Sequence, residues 1–583
     1  MRAYRYDSQQ GIFICTGHEE LSYSDGTAVE ERLFSVISNA TDVSSSSQVL
    51  VDAIEDWPSE YHLSPTRHNL LRFLELGSTH RILELGCGCG AMTRFLGESG
   101  ASVVAVEGSR RRAQIAAARC RDLPNVTVYC DNLINFECAE QFDYVTLIGV
   151  LEYAPKFIEG DDPVGRCLTH ARSFLKANGT LVLAIENQLG LKYFNGQAED
   201  HVGIPYYGIN GLYGNTDPVT LGRHALAQKL AQTDFGKLEF FFPFPDYKMP
   251  GVILSESALA EQRLNTADLL IQHQGIGHPE NHLRAFAEDQ AWRAVLENRL
   301  LPDLSNSFLV LAHSGPICSR QRNWLAKMYG SCNRRPCFQL ETAIERDEDM
   351  SLTVRKRRLT PAAEPPHNAW LKHVVGEKPY LTGKLLIGNV HRAMTREADI
   401  KELSASFAPW LKYLIAHSLP GPRGGLSLPG HFIDCIPANL IVLPGDGLEY
   451  FDAEWEAAEP IPLTWVVTRG IINSINGCLE NNALQGLNHD QCILRIAGRA
   501  GIDLSESDLI EAAELESRLV MHCYRRAPYA MTCRDLLSRP VIGYSRLSNE
   551  WLHRELARIK RTISWRITAP LRVSWNLLRK LIG

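Results

Sequence analysis

Short apolar runs recur along the first half of the chain at 81–86 (RILELG), 102–107 (SVVAVE), 126–129, 143–149 (DYVTLIG) and 180–186 (TLVLAIE). They are rich in Val, Ile and Leu, and helix-length segments such as 109–121 separate them. Continuous rather than alternating apolar strands predict a parallel sheet buried on both faces. Segments 237–243 (KLEFFFP) and 307–313 (SFLVLAH) supply two further strands, with helices around 256–271 and 283–300 between them. Residues 1–55 hold two strand-like pieces and a polar SSSS stretch, and read as an arm or cap.

From 317 the texture changes. Strand-like segments at 324–329, 337–345 and 351–358, with an acidic turn at 346–349, precede a Pro-rich joint at 361–366 and a helix near 398–417. Residues 463–538 read as mostly helical. The division expected is 1–55, 56–316, 317–538 and a tail, 539–583.

The most informative segment is Glu84-x-Gly86-x-Gly88-x-Gly90, which leaves a strand and opens a helix. Glycines are wanted there because the chain turns tightly and a ligand approaches the backbone itself. Read as Gly86-x-Gly88-x-x-Ala91, the loop alone also passes as a dinucleotide fingerprint. Glu107 ends the next strand, where a carboxylate accepts ribose hydroxyls. Asp131 and Asn132 end the third strand and suit an adenine amine. Phe142-Asp143-Tyr144-Val145 follows, then a helix ending in Leu175-Lys176-Ala177-Asn178-Gly179 ahead of strand 180–186.

This succession over 81–186 resembles class I S-adenosylmethionine-dependent methyltransferases. The resemblance implies a Rossmann-like seven-stranded α/β sheet. It places Glu84, Gly86, Gly88 and Gly90 around the methionine moiety, Glu107 on the ribose, and Asp131 and Asn132 near the adenine. Beyond the last of those strands lie Asn187, Lys192, Glu199-Asp200-His201, Arg223 and Lys248, at the strand ends where doubly wound sheets bind ligands. His201 is a candidate general base oriented by a neighbouring carboxylate, with a capped solvated loop as the plainer reading. Asn187, Lys192, Arg223 and Lys248 are candidate acceptor contacts, the cations suiting an anionic acceptor.

The runs AIENQLGLKYFNGQAEDHVGIPYYGI, GRHAL, FPFPDYK and WPSEYHLSPTRHNLLR make the likeness narrower. Over 57–316 the chain resembles methyltransferases of bacterial O-antigen and surface-polysaccharide synthesis, some of them fused to a kinase. The resemblance implies a glycan, lipid-linked glycan or glycan-phosphate acceptor and a polysaccharide-synthesis glycosyltransferase as partner.

In the second half, Asp434, Asn439 and Asp452 follow the order of a kinase catalytic Asp and two magnesium ligands, with ATP as the implied second cofactor. Lys356 is the candidate phosphate-binding lysine. His431 and Phe432 stand where the usual His would precede Asp434 by two residues, and no glycine-rich loop is visible between 317 and 350. The expectation is therefore a kinase-like α+β domain, active or degenerate. The rival readings are a bifunctional kinase and methyltransferase, and a non-catalytic scaffold.

Composition narrows the partners. A net charge of -7 argues against a nucleic-acid-coating protein. The 15 cysteines form no C-x-x-C pair and fit free thiols in a reducing cytosol. MRAYRYDSQQ has no apolar core of a secretory signal, and no run approaches the ~20 apolar residues of a membrane span. Between 554 and 580, Arg554, Arg558, Lys560, Arg561, Arg566, Arg572, Arg579 and Lys580 interleave with Trp565, Trp575 and aliphatics. Such a helical tail suits an anionic membrane surface. A cytoplasmic protein, peripheral at the inner face of the cell membrane, is the expectation.

Overall fold

A computed structural model describes residues 2–17, 26–271, 284–315, 322–361, 370–396, 399–422, 425–478, 486–524 and 533–541, with 273, 363 and 484 besides. The basic tail and most of the Pro-rich joint lie outside these described residues.

The strands in chain order are β1 Tyr4–Asp7, β2 Ile12–Cys15, β3 Arg81–Leu85, β4 Ser102–Glu107, β5 Val126–Cys130, β6 Phe142–Ile148 and β7 Leu175–Glu186. Then come β8 Lys237–Phe244, β9 Val252–Ser255, β10 Ser307–His313, β11 Trp324–Met328, β12 Leu340–Arg346, β13 Leu352–Arg358, β14 Leu371–His373 and β15 Glu377–Pro379. Seven of them run in the order β5-β4-β3-β6-β7-β10-β8. β3 to β7 are mutually parallel, and β10 is antiparallel to both β7 and β8. The order turns back at β3, so the crevice at the carboxyl ends of β3 and β6 is where this architecture binds a ligand.

The seven expected strands sit inside a larger sheet. The β1–β2 hairpin joins its edge, with Phe13 opposite Tyr129 and Ile14 opposite Cys130. At the other edge β9 pairs with β11, and β12, β13 and β15 follow, giving a 14-stranded sheet among the described residues. A second correction concerns LKANG: the helix Pro163–Ser173 has already ended, and Leu175 pairs with Phe142 as part of β7.

Alternation along the strands builds two cores. Leu83, Leu85, Val145, Leu147, Leu181 and Leu183 pack to one face. Ile82, Val103, Ile148, Val182, Leu309 and Leu311 pack to the other. Helices cover both faces, which is why these strands read as continuous apolar runs. A third core joins the helices Leu386–Thr395, Ile400–Ala416, Leu463–Asn476, His489–Arg499 and Glu506–Cys523. No helix among the described residues is long and apolar enough to cross a membrane.

Candidate cofactor and acceptor site

The glycine loop leaves β3 and is pinned to β4 by hydrogen bonds from the N–H groups of Gly86 and Cys87 to the Val106 carbonyl, 2.9 and 3.1 Å. Gly86 adopts φ +82°, and a Cβ there would lie 2.5 Å from Val150 Cγ2. Gly88, at φ +54°, has no atom within 4 Å of a built Cβ and faces open space, as a ligand-approaching glycine should. Gly90 corrects an expectation. It does not line the cavity; a Cβ on it would meet Ala116 Cα at 2.7 Å, so it lets the helices Ala91–Glu98 and Arg110–Arg119 pack closely.

A cavity at the carboxyl ends of β3, β4 and β6 is lined by Tyr61, Arg67, Glu84, Gly88, Glu107 and Asn132, among others. Glu107 accepts hydrogen bonds from Gly88 N at 2.8 Å and Ser109 N at 2.9 Å. Each carboxylate oxygen thus keeps one lone pair for a ribose hydroxyl. Burial pushes the Glu107 carboxyl upward, offset by the Arg112 guanidinium. Glu84 is buried with Oε2 lacking a hydrogen-bond partner, and burial raises it to about 7.

Arg67 was not singled out in the sequence. Asp56 caps the helix Trp57–Leu63, and Ser64 then caps a tight turn, Pro65–Leu70, that carries Arg67. Its guanidinium lies 3.7 Å from the Tyr61 ring centre, and Nε and Nη1 are buried without hydrogen-bond partners. A planar donor fork beside a carboxyl group fits the zwitterionic end of an amino acid. Nothing in the mostly polar run SPTRHNLLR marks Arg67 out from its neighbours.

Asp131 is a second correction. Its carboxylate accepts from Tyr4 Oη at 2.7 Å and from the Asn132 N–H at 2.8 Å, and Arg2 lies 3.5 Å away. The β1 strand therefore takes up Asp131, while Asn132 lines the cavity.

Beyond the cavity wall lies a buried polar cluster. Glu186 ends β7, and Glu152 sits in the turn Leu151–Tyr153 that follows β6. The Glu199 carboxylate accepts the N–H groups of His201 and Val202, which orients the His201 loop. His201 Nε2 lies 3.3 Å from Glu186 and 3.9 Å from Glu152, and Nδ1 lies 3.1 Å from Tyr153 Oη. Burial pulls His201 down, but Glu186 and Glu152 outweigh it and raise it to about 9. With only these partners the ring is a cation near neutral pH, and the carboxylates facing it are Glu186 and Glu152; of the flanking acids expected to orient it, Glu199 holds its backbone N–H. Despite its burial, Glu186 is held low by Lys248 and His201, while burial and Glu186 push Glu152 up.

The cations expected to meet an anionic acceptor are already paired. Lys192 lies 2.8 Å from Asp200 and 3.8 Å from Asp246. Lys248 contacts Glu186 and lies 2.7 Å from Asp200. Arg223 pairs with Asp303 at 3.1 Å, at the start of the helix Arg223–Gln232. The Asn187 amide donates to the carbonyls of Asp303 and Ser305 and accepts from Leu189 N, so it holds the β7 exit rather than a ligand.

In the second half, Lys356 on β13 contacts Asp452 and lies 3.1 Å from Glu454. The Asn439 amide donates to the Asp434 carbonyl at 2.9 Å. Asp434 itself is held by Arg469 at 2.9 Å, which neutralises the carboxylate expected to orient a hydroxyl.

A family model described as a methyltransferase domain matches residues 83–181. The ribosomal RNA small subunit methyltransferase A of Streptococcus pneumoniae is 36% identical over 66 residues, covering 11% of this chain and 23% of that relative. The chain thus spans less than a quarter of the length of the curated relatives it matches. Among solved structures, a SAM-dependent methyltransferase from Archaeoglobus fulgidus aligns at 16% identity, 42% of this chain, 92% of that one and TM-score 0.27. The N-methyltransferase NodS from Bradyrhizobium japonicum, with S-adenosyl-L-homocysteine, aligns at 21% identity, 25% and 74% coverage and TM-score 0.20. Strand order, glycine loop and family match agree: the chain carries a class I S-adenosylmethionine-dependent methyltransferase domain, and S-adenosylmethionine is its cofactor.

Proposed function

We propose that this chain transfers a methyl group from S-adenosylmethionine to a hydroxyl of a glycan or lipid-linked glycan in bacterial surface-polysaccharide synthesis. The observation that carries the reading is the carboxylate-rich cluster of Glu152, Glu186 and His201, joined through Tyr153 to the cofactor cavity. Methyl transfer is an in-line displacement, so the protein's task is to align acceptor oxygen, methyl carbon and sulfur. The O–CH3 bond forms as the S–CH3 bond breaks and S-adenosylhomocysteine leaves, and the hydroxyl proton passes to the Glu186 carboxylate, the member of the cluster that Lys248 and His201 hold ionised. Because Lys192 and Lys248 are already paired with carboxylates, the cluster suits a neutral sugar hydroxyl better than a glycan phosphate. The test is radiolabelled methyl transfer onto sugar and lipid-linked sugar acceptors. Labelled acceptor supports the reading, and label only on RNA or protein rejects it.

A second reading rests on Lys356 reaching Asp452 beside Asn439 and Asp434. In it, residues 317–538 phosphorylate the acceptor with ATP and magnesium before methylation. Arg469 on Asp434 weighs against it unless ATP binding displaces that pair.

A further inference from the structure

We infer that Glu152, Glu186 and His201 form a binding site for a divalent first-row cation that holds the acceptor hydroxyl beside the cofactor; the acceptor part of this rests on the methyltransferase reading above. One ligating atom from each residue lies within 4.8 Å of the other two. Donors around an ion with bonds of about 2.1 Å are ~3 Å apart as neighbours and ~4.2 Å apart across it. The separations from His201 Nε2, 3.3 Å to Glu186 and 3.9 Å to Glu152, need only small side-chain movements.

Glu152 supplies the independent observation. It is completely buried, and neither carboxylate oxygen has a hydrogen-bond partner. A buried carboxylate left in this way costs free energy unless something positive joins it. Beside it, Glu186, Asp200 and Asp246 are carboxylates, and the Lys192 and Lys248 ammonium groups and the His201 ring face them. A dication seated between Glu152, Glu186 and His201 would take the place of the proton on His201, as metals do on binding imidazole. Two carboxylates and one imidazole form a mixed oxygen and nitrogen set, which suits divalent first-row ions better than a thiol-seeking ion, and Mn²⁺ is the member that serves as probe.

The placement gives the ion a use. Val150 and Tyr153 line the cofactor cavity, and Glu152 stands between them in sequence. Tyr247 is buried, and its hydroxyl oxygen lies 2.6 Å from where a Cβ on Gly149, a residue of the cavity wall, would sit. An ion here polarises a hydroxyl presented to the methyl group and makes its oxygen a better nucleophile.

The test titrates the full chain with Mn²⁺ alone, following the electron paramagnetic resonance signal of the free ion, alongside a separate titration with S-adenosylmethionine. The expected result is one Mn²⁺ bound per chain, weakened at least tenfold in Glu152→Gln and in His201→Gln, with S-adenosylmethionine affinity and unfolding midpoint retained. Asp452→Asn should bind Mn²⁺ as the parent does. No Mn²⁺ binding, or binding lost in Asp452→Asn and kept in Glu152→Gln, overturns the site. Mn²⁺ binding without S-adenosylmethionine binding supports the ion site and sinks the methyltransferase reading; the opposite pattern sinks the ion site alone.

Discussion

Tyr153 Oη lies 3.1 Å from His201 Nδ1, and this contact joins the wall of the cofactor cavity to the buried acid cluster behind it. Tyr153→Phe removes one oxygen and leaves the wall in place. Methyl transfer should fall about 10- to 100-fold, in the range of a lost proton-handling or positioning group. Affinity for S-adenosylmethionine should change less than about threefold. Steady-state kinetics with calorimetry separates the two effects; equal losses in both would mean that the tyrosine merely supports the cavity.

Arg67 should divide the cofactor into its two ends. Loss of a charge-assisted fork to a carboxylate costs about 1.5–3 kcal/mol, so Arg67→Ala should bind S-adenosylmethionine about 10- to 100-fold more weakly. 5′-Methylthioadenosine lacks the amino-acid end and should bind the variant and the parent alike. A parallel loss for both ligands would place Arg67 in the scaffold of the cavity.

Glu84 predicts a pH signature. Its carboxyl is raised from 4.5 to about 7 by burial, so the folded chain holds a proton that the unfolded chain releases. That contribution to stability is fully present below about pH 4.5 and is lost as pH rises through about 7. Glu84→Gln keeps the shape without the titration. Relative to the parent it should gain about 1–3 kcal/mol between pH 5 and pH 8, read by urea unfolding.

Two glycines of one loop should respond differently. Gly90→Ala puts a methyl group 2.7 Å from Ala116 Cα at φ +77°, and should destabilise the fold by about 2–4 kcal/mol. Gly88→Ala meets open space, so stability should fall by only about 1–2 kcal/mol while cofactor affinity drops. Urea unfolding and cofactor titration of both variants check the contrast.

The core of the fold was legible because strands β3 to β7 are continuous apolar runs ended by Gly86, Glu107, Asp131 and Gly149. What was not legible depended on contacts distant in sequence. Asp131 and Asn132 are neighbours in sequence, but the Tyr4 hydroxyl on β1 takes up the first and leaves the second at the cavity. The β1–β2 hairpin has too few residues to announce that it extends a distant sheet edge. Glu152 carries no signal of its own in the sequence, since its partners Glu186 and His201 come from other elements. Lys192 and Lys248 were recognisable as cations, but not as cations already matched by Asp200, Asp246 and Glu186.

Calorimetric titration of the full chain with S-adenosylmethionine, repeated on Glu107→Gln, tests the cofactor site most directly. One ligand should bind per chain, with affinity at least about tenfold weaker in the variant, because the neutral amide replaces an acceptor of the ribose hydroxyls. No binding to the folded chain, or equal binding to both proteins, would contradict the account.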